Sequence, residues 1–343
     1  MKSNYIFFIL CFINTFIFAQ VTDVVTGLDS PSRLLLNGND LYVTTSNAIS
    51  KIDITDPSPT PEVVVSGLNA PTGMALDGNN LYVAQFNGGK ISVVDLTAST
   101  PVATDFLTGL NTPNGVAVND GFLYYSDNNS NIVARVATTA PGTPEVVASS
   151  AVNFNPVGLA FDGDLLYISN ATSNRISFVD VSSGVTEPTL LVTGTSRPLG
   201  IRYANNRLFI SERNNNKISV YDFSSGTKSD VQTGLDAPND IAISTDAIFI
   251  LESGSDKISK IDNTFGVTDL SKLAWRVYPN PTSDYVEFSG ISETISVAVY
   301  TIQGSLVLEQ RIAPLDKLML SDLASGMYVV VVNETHLTRL IKN

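Results

Sequence analysis

The sequence predicts an all-β chain, a six-bladed β-propeller followed by a small C-terminal β-sandwich, and three observations carry that prediction. The first is a repeat. Pro31, Pro71, Pro113, Pro156, Pro198 and Pro238 recur at intervals of 40 to 43 residues, the span of one four-stranded blade. The second is an aliphatic-aromatic pair held in the same register, at Leu41-Tyr42, Leu81-Tyr82, Leu123-Tyr124, Leu166-Tyr167, Leu208-Phe209 and Ile248-Phe249. The third is an Ile-Ser-x-x-Asp run at Ile49, Ile91, Ile176, Ile218 and Ile258, which the third repeat breaks with Ile132-Val-Ala-Arg-Val-Ala137.

Taken in order, residues 1–20 carry Lys2 and an apolar run from Tyr5 to Ala19. That run is short for a membrane span and reads as a cleaved secretory signal. The single cysteine, Cys11, lies inside it, so the mature fold is expected to rest on packing without disulfides. Residues 21–28, VTDVVTGL, match the fourth strands of later repeats at Leu191 to Thr195 and Asp230 to Leu235. The chain therefore enters in mid-blade, and this strand is positioned to complete the last blade, with Phe265 to Leu270 competing for the same place.

Within a repeat, the second serves as the example. Its strands are expected at residues 73–76, 81–84, 91–96 and 103–108, divided by Asp77-Gly-Asn-Asn80 and Asn87-Gly-Gly89, residues that tolerate the positive φ of tight turns. One such meander cannot bury both faces alone, whereas six arranged radially bury one another. In the first strands a small residue separates two large ones, at Ala75, Ala117, Ala160 and Ala242, with Leu35 and Arg202 as exceptions. Arg202 either pairs with a carboxylate at the channel rim or reaches into the channel as an anion-binding group. The rarity of unpaired buried charge favours the pairing.

Lys+Arg 20 against Asp+Glu 33 gives a net charge of −13, the wrong sign for gripping phosphate backbones, so no nucleic-acid partner is expected. Past the signal, the longest aliphatic run is Val329 to Val332, and no transmembrane segment is expected.

Because strands alternate direction, the loop entering each first strand and the turn between the second and third strands share one face, the top. Candidate ligand-binding residues there, around the channel mouth, are Ser32, Thr72, Asn114, Asp127, Arg202, Glu212, Asn239, Asp240 and Glu252. Polar groups converging on an axial pocket suit a small molecule, a glycan or a protein partner. The competing reading is that they cap strand ends and turns. No catalytic residue is assigned: the one histidine, His336, lies in the C-terminal segment, so a Ser-His-Asp triad and a histidine-built metal site are both missing from the repeats. The run from Asp127 to Asn131 alternates oxygen donors but lacks the glycine and closing glutamate of a calcium loop.

The Pro-x-Gly entries, the Leu-Tyr-Val strands and the Lys-Ile-Ser strands of residues 21–270 resemble those of the NHL-repeat and SMP-30/gluconolactonase-like propellers. That resemblance implies a divalent cation such as calcium at the mouth, held by one Glu, one Asp and Asn residues. Asn114 in Pro113-Asn-Gly115 matches, and Asn239 in Pro238-Asn-Asp240 matches in part. The other entries offer Ser32, Thr72, Val157 and Leu199, and neutral amides alone bind hard cations poorly. The expectation is thus a non-enzymatic binding propeller with no cofactor. A metal-dependent lactonase or esterase using Asn114 and Asn239 is the alternative, and a structural surface component is a third reading.

After residue 270 the period stops. Residues 271–274 read as a linker, and Trp275 opens a different pattern whose strands, split by Gly304 and Gly326, suggest the sandwich of residues 275–343. Tyr278, Pro279, Asn280 and Pro281, the run Val297 to Gly304, the Leu323 to Tyr328 segment containing Gly326 and Tyr328, and the terminal Arg339 to Lys342 resemble the C-terminal sorting domain of the type IX secretion system of Bacteroidota. The resemblance implies partners in the outer-membrane secretion machinery and a surface peptidase. It also implies passage through the periplasm to the cell surface or the medium.

Overall fold

The structure is a computed structural model and describes residues 21–150, 154–263, 276–278, 282–289, 294–301, 305–314, 316–332 and 336–342. The chain divides into two compact units, Met1–Thr264 and Phe265–Asn343. The signal expected over residues 1–20, the linker and the candidate closing segment Phe265 to Leu270 lie outside the described residues.

The first unit is a six-bladed β-propeller of four-stranded antiparallel sheets. Blade 2 runs Pro71–Asp77, Asn80–Gln85, Lys90–Asp95 and Ala103–Thr108. The inner strands of the others are Leu34–Asn37, Pro113–Asn119, Pro156–Asp162, Pro198–Ala204 and Pro238–Ile243. The N-terminal strand Thr22–Thr26 pairs with Lys257–Asp262 as the fourth strand of blade 6. The ring is therefore closed by hydrogen bonds between the two ends of the unit, with Val25 and Leu28 buried at the closure.

Each repeated motif has a physical task. Leu41, Leu81, Leu123, Leu166, Leu208 and Ile248 are fully buried, as are Ile49, Ile91, Val133, Ile176, Ile218 and Ile258. Blades are too thin to hold a core of their own, so these side chains pack between neighbouring sheets. The aspartate ending the third strand caps the next turn. The Oδ1 atoms of Asp53, Asp95, Asp180 and Asp222 each accept the backbone N–H two residues on, at 2.8–2.9 Å, and the hydroxyls of Thr55, Thr97 and Ser182 together with these N–H groups pull Asp53, Asp95 and Asp180 below the usual carboxylate range. Blade 3 lacks that aspartate. There Arg135, at the position held by Lys51, Val93, Phe178, Val220 and Lys260 in the other blades, pairs with Glu145 at 2.9 Å and lies over the ring of Phe122.

The entry glycines are spatial requirements. A Cβ on Gly73, Gly115 or Gly158 would overlap the backbone of the next blade, at Asn114, Val157 and Leu199 respectively, and one on Gly200 would overlap Asp240. At these four junctions the inner strands converge so closely that only glycine fits.

The second unit has a three-stranded sheet, in which Tyr285–Ser289 lies between Arg276–Tyr278 and Lys317–Met319, and a four-stranded sheet ordered Leu306–Ile312, Ile295–Thr301, Gly326–Val332, His336–Lys342. Both sheets supply one core, with Val286, Phe288 and Leu318 from the first meeting Val297, Val299, Val330 and Leu340 from the second. It is the expected small sandwich.

Candidate functional site

The top face of the propeller carries a pocket of about 460 Å³ over blades 2 to 5. Its rim is amide-rich, with Asn114, Asn128, Asn155, Asn174 and Asn214, together with Thr172 and Arg197. Its floor is apolar, since Val157, Ala171 and Leu199 form a small buried cluster with Phe86 nearby in the lining. Asn174 accepts the N–H of Arg197 at 2.7 Å and Asn155 accepts the hydroxyl of Thr172 at 3.0 Å. These bonds fix the rim before any ligand arrives. Arg197 is held at φ 48, as Ser30, Ala70 and Ala237 are held near 50 before their own entry prolines, so this backbone conformation belongs to the repeated entry turn.

Below this mouth the axis contains a second cavity of about 400 Å³ lined by the six inner strands. Its charged residues are Arg33, Arg202 and Asp240. Asp240 is fully buried. Its Oδ2 accepts the N–H of Leu34 at 3.0 Å and Nη2 of Arg202 at 2.9 Å, and its Oδ1 accepts the N–H of Ile241 at 3.0 Å. Arg202 also donates to the carbonyls of Ile201 and Leu34. The carboxylate pairing expected for Arg202 is thus present, with Asp240, but inside the axial cavity instead of at the channel rim. Arg33 is 7% exposed and donates to the Ser32 carbonyl at 3.0 Å and to Oδ1 of Asn114 at 2.8 Å. The bond to Asn114 crosses the axis from blade 1 to blade 3 and links the cavity to the mouth. Burial holds Arg33 below its ordinary value, opposed by Asp240 and reinforced by Arg202 and Arg213, although a guanidinium stays charged throughout.

The candidates from the sequence divide into two groups. Asn114 lies on the mouth, while Arg202 and Asp240 line the axial cavity. Thr72 bridges blades by donating to the Asn114 carbonyl at 3.0 Å, Ser32 serves Arg33 through its carbonyl, and Asn239 accepts from Arg213. Asp127, Glu212 and Glu252, grouped above with the mouth, sit inside their own blades at 2%, 0% and 3% exposure. Asp127 accepts the N–H groups of Asn111, Thr112 and Ser130. Glu212 accepts from Ser196 N–H, Ser219 and Lys228, and Glu252 from Asp236 N–H and Ser259. Strand-end carboxylates engaged in this way hold entry loops to sheets and face inward, away from the mouth. Arg33 and Arg213 were absent from the sequence candidates. A signal for Arg33 existed: two residues after each entry proline the repeats read Arg33, Gly73, Gly115, Gly158, Gly200 and Asp240, and the two departures are two of the three axial charges.

The divalent-cation alternative fails on donor chemistry. The Oδ1 atoms of Asn114 and Asn239 both face guanidinium groups, from Arg33 and Arg213. A cation at either oxygen would meet a fixed positive charge at hydrogen-bond distance. Among the described residues no group of three or more His, Cys, Asp or Glu side chains could hold a metal ion.

Residues 276–343 match the family model of the secretion system C-terminal sorting domain. The chain carries a type IX secretion sorting domain. It is exported to the cell surface or the medium, and no helix among the described residues is long and apolar enough to cross a membrane. In the sorting domain Tyr278 ends the first strand and Gly326 opens another, Tyr328 is buried with its hydroxyl on the Ala324 carbonyl at 2.8 Å, and Lys342 is buried beside a bridge to Thr282. Pro279, Asn280, Pro281 and Gly304 lie outside the described residues.

Solved structures similar to this chain are propeller-type proteins. A catalytically inactive virginiamycin B lyase from Staphylococcus aureus with quinupristin matches at TM-score 0.53 and 20% identity, over 68% of this chain and 80% of that one. The PQQ-bound aldose sugar dehydrogenase from Streptomyces coelicolor matches at 0.55 and 17%, over 71% and 98%. A chain of the nidogen/laminin complex matches at 0.52 and 19%, over 58% and 78%. At these identities the likeness concerns the fold. No curated protein sequence matches the chain.

Proposed function

We propose that the protein is an exported, non-enzymatic binding propeller whose mouth pocket takes a small polyhydroxylated molecule of the carbohydrate type. The observation that carries this reading is the pairing of an amide-rich rim with an apolar floor in a cavity of about 460 Å³. Sugars need both surfaces at once, because amides exchange hydrogen bonds with hydroxyls while the C–H face of the ring packs on apolar atoms. Phe86 and the Val157, Ala171 and Leu199 cluster supply the second surface. Export by the sorting domain delivers such a site to where extracellular glycans are met.

Two enzymatic alternatives have weaker support. A lactonase-type hydrolase needs a cation to neutralise developing charge, and here guanidinium groups face the amides that would hold it. The similar lyase was solved as an inactive histidine-to-alanine variant, and this propeller contains no histidine. The test is glycan-array screening of the full chain followed by calorimetry on any hit. Binding that weakens at least tenfold in both Phe86→Ala and Asn214→Ala, with both variants melting as the parent does, supports the reading. Binding indifferent to both, or calcium-dependent turnover of sugar lactones, overturns it.

A further inference from the structure

The axial cavity has a charge imbalance that the protein does not itself resolve. Two guanidinium groups, Arg33 and Arg202, share one carboxylate, Asp240. That carboxylate is already engaged by the N–H groups of Leu34 and Ile241 and by Nη2 of Arg202. Arg33, although buried, has only neutral hydrogen-bond acceptors among the described residues, the Ser32 carbonyl and the Asn114 amide. Its five N–H donors exceed those two partners. A buried guanidinium without a direct counter-charge is costly, and natural interiors meet that cost with a paired anion.

We infer that the axial cavity is a binding site for a small carboxylate, held between Arg33 and Arg202. The site lies below the carbohydrate pocket and does not depend on it. Arg202 leaves 30% of its side chain exposed, and both arginines line the same space of about 400 Å³. The planar fork of a guanidinium matches a carboxylate in bidentate fashion. Around the charges the lining is aliphatic and aromatic, from Leu35, Met74, Leu159 and Phe161. Those walls suit an anion with a carbon skeleton better than a fully hydrated inorganic one. Asp240 then acts as a positioning residue that fixes Arg202 and competes electrostatically with the ligand.

The test is thermal melting and calorimetry of the full chain in sodium acetate and sodium benzoate, against sodium chloride at matched ionic strength. Both carboxylates should raise the melting temperature where chloride does not. Arg202→Met should weaken binding roughly tenfold, the scale of one charge-assisted hydrogen bond. Asp240→Asn should tighten it by a similar factor, a gain that a purely structural role for Asp240 does not produce. Arg33→Lys keeps the charge for folding but loses the fork, and its affinity should fall roughly tenfold. The inference is overturned by a response equal to that of chloride, by unchanged affinity in Arg33→Lys, or by weaker binding in Asp240→Asn.

Discussion

Around the axis, blades 2 to 5 and the pair formed by blades 6 and 1 meet their neighbours in different ways. At Gly73, Gly115 and Gly158 backbone packs on the backbone of the next blade, and no side chain could be inserted. Hydroxyls reinforce those junctions: Ser126 accepts from Gly115 N–H and donates to the Val157 carbonyl at 2.8 Å, and Ser169 does the same between Gly158 and Leu199. Where the ring closes, Arg33 and Asp240 replace the glycine: Asp240 accepts the Leu34 N–H across the closure and forms an ion pair with Arg202 of blade 5, while Arg33 reaches across the axis to Asn114. The equivalent Ser211 hydroxyl in blade 5 is buried without a hydrogen-bond partner among the described residues. Two of the three axial charges, Arg33 and Asp240, thus stand in the two blades that meet at the closure, and the third, Arg202, stands in blade 5 beside them. The glycine junctions specify the ring, and the seam is free to specialise.

The most severe way to break the comparison is to remove the closing strand. Deleting residues 21–28 exposes the edge at Lys257–Asp262 and loses the burial of Val25 and Leu28, each worth about 1.5 to 3 kcal/mol. With the lost strand pairing, stability should fall by about 5 kcal/mol or more, a large share of a typical domain's total. Chemical denaturation of the deletion variant measures it, and a shift of less than about 1 kcal/mol would mean that the strand does not close the ring.

At the seam itself, Asp240→Ala takes the opposing charge from buried Arg33 and the ion-pair partner from half-buried Arg202, and leaves the Leu34 and Ile241 N–H groups without their acceptor. Removing one partner of a buried ion pair costs about 3 to 5 kcal/mol. On the glycine side, Gly115→Ala forces a methyl group against the Val157 backbone, and overpacking of this kind costs about 1 to 3 kcal/mol. The ranking is the test: denaturation midpoints should fall further for Asp240→Ala than for Gly115→Ala. The opposite order would show that the seam contributes less to stability than the glycine junctions.

Much of this architecture is legible in the sequence because a propeller repeats itself. Six prolines in register give the blade count, and the likeness of residues 21–28 to later fourth strands makes them one of two candidates for the closing strand, the pairing with Lys257–Asp262 coming from the structure. The carboxylates misled for a physical reason. Glu212 and Glu252 stand where a strand meets the top face, and sequence position alone does not tell whether a side chain at a strand end turns outward to the mouth or inward to Ser219 and Ser259. Both third-strand serines belong to the Ile-Ser-x-x-Asp motif, so the inward partner was visible seven residues away. Arg33 lies two residues after the entry proline and not one, at a position where four of the six repeats have glycine, so only its departure from the repeat marks it.

Alkaline titration gives the finest comparison of the two regions. Tyr125 in blade 3 and Tyr167 in blade 4 are both pushed up to about 12, first by burial and then by nearby carboxylates, Asp127 and Asp162 respectively. A phenol whose folded value is raised favours the neutral form in the folded state. Its contribution is complete below the unfolded value of about 10 and is lost as pH rises toward the folded value. The arginines of the seam remain charged across this range. Stability should therefore hold to about pH 10 and decline between about 10 and 12, with tyrosinate absorbance and loss of sheet circular dichroism rising together. Carboxylate binding at Arg33 and Arg202 should persist until that decline begins. Full tyrosinate formation near pH 10 with the sheet intact would show that these rings are not held by the blades, and loss of carboxylate binding well below pH 10 would place the first failure at the seam.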